Sequence, residues 1–193
     1  MLPLILASSS PYRRELLARL QLPFTHHAPD IDESAQPHEN AQQLVCRLAE
    51  AKARALATIY PAALIIGSDQ VAALANGTLL GKPHTLERAQ AQLRAASGSS
   101  VTFYTGLCVF NSHNQRAQVA CVPFTVQFRE LNEACILRYL QAEQPFDCAG
   151  SFKSEGLGIT LFRCTIGDDA TSLIGLPLIK LTDMLLAEGI PLP

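Results

Sequence analysis

The segment Leu4-Ile-Leu-Ala-Ser-Ser-Ser-Pro-Tyr-Arg-Arg-Glu-Leu-Leu17 decides how this chain is read. Leu4 to Ala7 is a short apolar run of the buried-strand kind, and it stops at three consecutive serines. Pro11 then stands where proline is best tolerated, in the first turn of a helix. Leu16, Leu17 and Leu20 give that helix an apolar face, while Arg13 and Arg14 enter in its first turn. The helix macrodipole disfavours cations there, because that end already carries roughly half a positive charge. Two arginines become favourable when an anion lies between them and the helix end. Backbone N–H groups, serine hydroxyls and a bidentate guanidinium then form a phosphate cradle. The alternative is a capped surface helix with solvated arginines, and the rest of the chain weighs between the two.

With 193 residues the chain can bury a real core, as a single domain over 1–193 or as two small lobes on a continuous sheet. Hydrophobic residues make up 48% and charged residues 17%, a globular and not a disordered composition. A formal net charge of −2 argues against a broad nucleic-acid or acidic-membrane surface, yet leaves room for a local basic pocket. No apolar run approaches the roughly 20 residues of a membrane span. Polar Ser8, Ser9 and Ser10 break the first apolar run before it acquires a secretory layout. Cys46, Cys108, Cys121, Cys135, Cys148 and Cys164 are widely spread without any C-x-x-C pair, mostly among apolar neighbours. They read as buried free thiols in a reducing cytoplasm, not as disulfides or a zinc site. The histidines lack ligand spacing, and His26 and His27 are expected at the surface.

Strand and helix signals alternate. A polar stretch from Pro29 to His38 carries Asp30, Asp32 and Glu33. A helix is expected from about Glu39 to Ala57, capped near Asn40 with Gln43 three residues on, and striped by Leu44, Leu48 and Leu56. Ala63-Leu-Ile-Ile-Gly-Ser-Asp69 reads as a second buried strand ending in a carboxylate. Asn76-Gly77 marks a tight turn, and Thr85 caps a helix that closes at Gly98. The second half reads as antiparallel strands at Val101–Phe110 and Val122–Phe128, joined through 111–118, then a short helix capped by Asn132. A loop from Asp147 to Gly156 precedes an expected strand at Ile159–Phe162, and the chain ends in a helix with Leu178, Leu181 and Leu185 buried. The fold class is α/β: a mixed twisted sheet with flanking helices.

Charged residues fall at element ends. A carboxylate such as Asp69, set between Ile66 and Val71, is too costly to bury unpaired, so it should face a cleft. Glu33, with Asp30 and Asp32 nearby, could add oxygen ligands for a hard divalent cation. Lys52 lies late on its helix at the edge of the apolar stripe, Lys82 stands between Gly81 and Pro83, and Lys153 lies in a glycine-bounded loop. Each alone reads as a surface charge; together they suit a triphosphate and a metal.

The set Ser8-x-Ser10-x-x-Arg13-Arg14, Glu33, Lys52, Ser68-Asp69-Gln70, Gly81-Lys82-Pro83 and Gly150-Ser-Phe-Lys-Ser-Glu-Gly156 resembles the Maf family of nucleoside triphosphate pyrophosphatases, from residue 4 to about residue 187. The resemblance implies two lobes around a deep cleft, as in inosine triphosphate pyrophosphatases, and hydrolysis of nucleoside triphosphates to the monophosphate and pyrophosphate. It also implies a divalent metal cofactor, Mg or Mn, on Glu33 and Asp69, with Asp69 the catalytic base. Ser8, Arg13, Lys52 and Lys82 would hold phosphates. Many members have Glu-Lys-Ala where this chain has Ala51-Lys52-Ala53; Glu50 is one position off, about 100° around the helix.

At the three base-pocket positions this chain carries Tyr12, Gln70 and Glu155, which resembles the branch acting on 7-methyl-GTP and differs from the dTTP and UTP branch. Guanine offers N1–H and an amino group side by side, two donors that one carboxylate accepts together, whereas uracil and thymine would set a carbonyl against Glu155. The positive charge of a 7-methylated ring also favours Tyr12 by cation–π attraction, about 0.5–2 kcal/mol. The alternatives are a broader pyrophosphatase for GTP, UTP or CTP, and a non-catalytic nucleotide-binding regulator of cell division. The expected partner is a small nucleotide, with a homodimer allowed and neither nucleic acid nor membrane.

Overall fold

A computed structural model describes residues 2–193. In chain order the elements are β1 (Leu4–Ala7), α1 (Pro11–Ala18), β2 (Phe24–His26), α2 (Ala41–Ala55), β3 (Leu64–Leu74) and β4 (Leu79–Leu80). Then come α3 (Leu86–Ala96), β5 (Ser100–Asn111), β6 (Arg116–Phe128), α4 (Glu133–Glu143), β7 (Phe162–Ile166), α5 (Ala170–Ile174) and α6 (Leu178–Ala187). The strands form one seven-stranded sheet in the order β2-β1-β3-β5-β6-β7, with β4 paired to β3. β1 is parallel to both β2 and β3, and β7 is antiparallel to β6, so the sheet is mixed. No helix among the described residues is long and apolar enough to cross a membrane.

The chain packs as two compact units. The first comprises the residues up to Asp69, Thr105–Val122 and Asp169–Pro193. Its strands β1 and β3 are buried on both faces, whereas β2 is half-buried to exposed, and the strand period of two sorts the buried residues. Leu4, Leu6, Leu64 and Ile66 join Leu16 and Leu17 of α1 and Leu181 and Leu185 of α6 in one core cluster. Ile5, Ala7 and Ile65 join Ala49, Ala53 and Leu56 at the other face, against α2. Each fully buried leucine or isoleucine there contributes about 1.5–3 kcal/mol. Local chemistry starts the helices: Ser10 caps α1 ahead of Pro11, and Asn40 with Gln43 makes a complete capping box for α2.

Helix α2 lies on the sheet with almost nothing between backbones. A Cβ at Gly67 of β3 would come 2.0 Å from the Ala49 carbonyl oxygen, and one at Gly106 of β5 would come 2.1 Å from that of Val45. Glycine in a strand interior weakens the strand and is kept where another backbone approaches this closely.

The second unit comprises Gln70–Tyr104 and Pro123–Asp168. Its core is aromatic: Phe103, Phe128, Phe152 and Phe162 meet edge to face, with ring centroids 4.9–5.6 Å apart. Thr85 and Asn132 cap α3 and α4 by accepting from the backbone N–H groups of Arg88 and Cys135.

Four expectations need correction. Strand β3 does not end at Asp69 but runs on to Leu74, because the carboxylate is compensated mid-strand by a lysine from α2. Strand β6 begins at Arg116 and not near Val122, which shortens the connection to β5. The segment Ile159–Phe162 is mostly a 3-10 turn (Leu157–Leu161), with Ile159 58% exposed, and β7 starts only at Phe162. Of the six cysteines, none in a disulfide, only Cys108 is buried; Cys164 is exposed on the edge strand, and the others are half-buried. Burial pushes the Cys108 and Cys121 thiols up to about 12, so both are inert as nucleophiles.

The close approach of α2 yields a prediction. Gly67→Ala forces a methyl group onto helix backbone, and overpacking of this kind costs roughly 1–3 kcal/mol or more. The urea midpoint should fall at unchanged slope; a midpoint equal to that of wild type would mean that α2 is free to move off the sheet.

Candidate active site

The first unit draws four nominated residues together. Lys52 projects from α2 beneath the plane where Gly67 admits the helix, and it is only 6% exposed. Its Nζ donates to Asp69 Oδ1 at 2.6 Å and stands 3.0 Å from Glu33 Oε1. Asp69 is 8% exposed, whereas the Glu33 side chain is 58% exposed. An isolated ammonium or carboxylate buried to this degree costs several kcal/mol, so each makes the other tolerable. Glu33, on the polar loop before α2, completes the group from the solvent side.

Arg13 is the second cation of this unit. Its Nε donates to the Gly175 carbonyl at 2.8 Å. Burial lowers its pKa below the ordinary guanidinium value, and the negative charges of Asp69 and Glu33 oppose that shift. Ser8 is buried, and its Oγ accepts from the Ser10 N–H at 3.1 Å, while Ser10 Oγ accepts from the Arg13 N–H at 3.4 Å. The serine run thus builds the first turn of α1. Arg14 turns away from this group: it is exposed, with Nη1 3.4 Å from His26 Nε2. Tyr12 is half-buried on the same helix. Of the two other loop acids, Asp30 is exposed, and Asp32 accepts from the Ser34 N–H at 2.9 Å, a bond that lowers its pKa.

The second unit holds the remaining nominees. Gln70 follows Asp69 on β3 and is half-buried. Lys82 is exposed on a turn whose Gly81 carbonyl accepts from Gln92 Nε2 at 3.1 Å. Glu155 is exposed and accepts from Ser154 Oγ at 3.1 Å. Its loop is pinned from α4: the Tyr139 hydroxyl accepts from the Lys153 N–H at 2.9 Å, and Glu143 accepts from the Leu157 N–H at 2.7 Å. Lys153 Nζ lies 3.7 Å from Glu143. Burial raises the Tyr139 pKa, so this phenol keeps its proton throughout the working range.

Sequence reading gave no role to Tyr139, Glu143 or Gly175, and quoted Ser68 only as part of the Ser68-Asp69-Gln70 motif. Gly175-Leu-Pro177 carried a turn signal; the other three act through backbone contacts that have no local signature.

A divalent cation has a donor set to meet here. Among the described residues no three His, Cys, Asp or Glu side chains converge into an all-protein cage. Glu33 and Asp69 are two hard oxygen donors gathered on one cationic centre, the Lys52 ammonium. That suits an ion such as Mg²⁺, which binds through one or two carboxylates and takes its other ligands from water and substrate phosphates. A separate open hollow of about 370 Å³, lined by Gln36, His38, Gln43 and Arg47 among others, contains none of the nominated residues. Arg47 there is committed to Glu39 at 2.6 Å, and this pair holds the Glu39 carboxyl at about 2.

Comparison with known proteins gives a consistent answer. Residues 3–188 match the Maf family, described as Maf-like protein. A curated relative from Pseudomonas fluorescens, named 7-methyl-GTP pyrophosphatase, is 66% identical over 193 residues and covers 100% of both chains. Relatives of the same name from Pseudomonas savastanoi and Nitrosococcus oceani are 68% and 59% identical, covering 98% and 97% of this chain and 98% and 94% of their own. Among solved structures, a HAM1 protein from Coxiella burnetii aligns over 97% of this chain and 100% of its own, with a TM-score of 0.58 and 17% identity, a likeness of fold alone.

The buried pair predicts its own stability signature. Lys52→Met strands the Asp69 carboxylate and should cost about 3–5 kcal/mol of unfolding free energy. Adding Asp69→Asn should restore more than half of that, because the two residues are coupled. Simple additivity in denaturant unfolding would show that they do not stabilise one another.

Proposed function

Because the chain belongs to the Maf family, we propose that it is a nucleoside triphosphate pyrophosphatase hydrolysing 7-methyl-GTP to 7-methyl-GMP and pyrophosphate. The observation that carries this reading is the buried Asp69–Lys52 pair with Glu33 and Arg13 around it, in a chain 66% identical over its full length to a 7-methyl-GTP pyrophosphatase. A nucleotide-binding regulator needs a cradle but no buried carboxylate; a hydrolase needs both.

In the proposed reaction a water attacks the α-phosphorus and the α–β bridging P–O bond breaks. The water's proton passes to Asp69, and the bridging oxygen leaves with pyrophosphate. Lys52, held 2.6 Å from Asp69, keeps that carboxylate oriented in a dry site, a fixed charge that needs no rearrangement during reaction. Arg13, Lys52 and Lys82, with the Ser8 hydroxyl, hold phosphoryl oxygens and offset the charge that grows on the leaving group. Lys153 contributes to the loop through Glu143 and adds positive charge there. Glu33 and Asp69 would hold the divalent metal, Mg or Mn, which when bound polarises the phosphoryl group and the water. Tyr12, Gln70 and Glu155 read the base, Glu155 by accepting from N1–H and the amino group of a cationic 7-methylguanine. The product pair points to removal of modified nucleotides. A cytoplasmic setting is supported by six cysteines none of which forms a disulfide, and the partner is the nucleotide itself.

Pyrophosphate release across 7-methyl-GTP, GTP, CTP, UTP and dTTP tests the reading, with 7-methyl-GTP expected to lead. Asp69→Asn should abolish turnover while circular dichroism and nucleotide binding persist; turnover within a few-fold of wild type would remove Asp69 from catalysis. Glu155→Gln turns one acceptor into a donor, which suits N3–H and a neighbouring carbonyl of uracil or thymine. The ratio of kcat/KM for 7-methyl-GTP over dTTP should fall in this variant, and an unchanged ratio would mean that Glu155 does not touch the base.

A further inference from the structure

Arg13 is held in an unusual way. Among the described residues its guanidinium makes one hydrogen bond, through Nε to the Gly175 carbonyl at 2.8 Å. Nε is the inner nitrogen of the fork. Fixing it leaves Nη1 and Nη2, the pair that grips an oxyanion through parallel bonds, for another partner.

The same carbonyl lies 2.9 Å from the hydroxyl of Ser68, the residue before Asp69, which also has the Gly106 carbonyl at 2.8 Å. Arg13, Gly175, Ser68 and Asp69 are therefore joined in sequence, and the guanidinium is indexed to the strand that carries the carboxylate.

Gly175 is itself immobilised. Its N–H donates to the carbonyls closing α5, at 3.0 and 3.2 Å. Before it, the buried Asp169 accepts from the Thr171 N–H at 2.9 Å, the Thr171 hydroxyl at 2.6 Å and the Ile179 N–H at 2.8 Å, clamping the starts of α5 and α6 with one carboxylate. Thr171 Oγ1 in turn accepts from the Leu178 N–H at 2.8 Å. Glycine is required at the centre of this knot for two reasons. Its φ of +121° is a conformation that L side chains rarely adopt, and a Cβ would stand 3.3 Å from Arg13 Nε.

We propose that Gly175 is a positioning residue for the reaction: its carbonyl sets Arg13 so that both Nη groups face a substrate phosphate. The inference rests on the phosphate role given to Arg13 above. Gly175→Ala should shift the carbonyl and loosen the guanidinium, and Ser68→Ala should do so more mildly. Both act through Arg13, so neither should add to the effect of Arg13→Ala.

The test is a double-mutant cycle of Gly175→Ala and Ser68→Ala, each in wild-type and Arg13→Ala backgrounds. It is read as KM and kcat on 7-methyl-GTP and, separately, as calorimetric affinity for inorganic pyrophosphate with magnesium. Gly175→Ala should raise KM and weaken pyrophosphate binding about tenfold, the value of a charged hydrogen bond, and should change both by less than about twofold once Arg13 is alanine. Losses that multiply in the double variant, or a loss confined to kcat at unchanged pyrophosphate affinity, would overturn the proposal and leave Gly175 a turn residue only. If Gly175→Ala does not fold, Ser68→Ala decides by the same criterion. If wild type does not turn over 7-methyl-GTP, the reading of substrate fails, and the pyrophosphate cycle still decides the positioning role.

Discussion

How closely helix α2 can approach the sheet governs the rest of this structure. Two strand glycines, Gly67 and Gly106, remove the side chains that would otherwise hold α2 off, and Ala49 and Ala53 keep its own face thin. At that separation the long arm of Lys52 reaches Asp69 in mid-strand. The Asp69 carboxyl can sit inside a buried strand because Lys52, seventeen residues earlier, reaches it at 2.6 Å. Strand continuity, the burial of the helix and the electrostatics of the site are thus one constraint expressed three ways.

Around that pair the first unit assembles charge from loops and helix ends. Glu33 comes from the polar stretch before α2, Arg13 from the first turn of α1, and Gly175 from the turn between α5 and α6. The cation at a helix N-terminus, which the macrodipole disfavours, is stabilised here by the fields of Asp69 and Glu33 and by a carbonyl acceptor. Two cations and two carboxylates gathered in this way would preorganise the reaction proposed above, in which negative charge moves from an attacking oxygen to a leaving phosphate. The loop that carries Glu155 follows the same economy of parts: Tyr139 and Glu143 hold its backbone, so the charged tip stays available.

What could be read in the sequence was what is local. The cap residues Asn40, Thr85 and Asn132 each start the helix expected of them, because a side-chain oxygen three residues before an N–H is enough to specify the turn. The apolar strands β1 and β3 were legible from their runs of branched residues. The end of β3 was misplaced because the partner that permits Asp69 in mid-strand is non-local. The Ile159–Phe162 segment differs from its expected strand because Ile-Thr-Leu-Phe, three apolar residues and a threonine, fits a strand and a 3-10 turn equally well, and periodicity cannot separate them. Among the candidate residues, Asp69, Lys52, Glu33 and Arg13 stood out as charges at element ends, the resemblance gave them roles, and all four lie within one unit. Ser68, Tyr139 and Glu143 act through side-chain contacts to backbone groups, and Gly175 through its carbonyl; neither the turn signal at Gly175 nor the motif around Ser68 specifies those partners.

The central claim is that this arrangement directs water to the α-phosphorus of 7-methyl-GTP. Hydrolysis in ¹⁸O-labelled water, with mass analysis of both products, tests it most directly. The account predicts a single labelled oxygen in 7-methyl-GMP and none in pyrophosphate. Label in pyrophosphate or in free phosphate would place the attack at another phosphorus and contradict it.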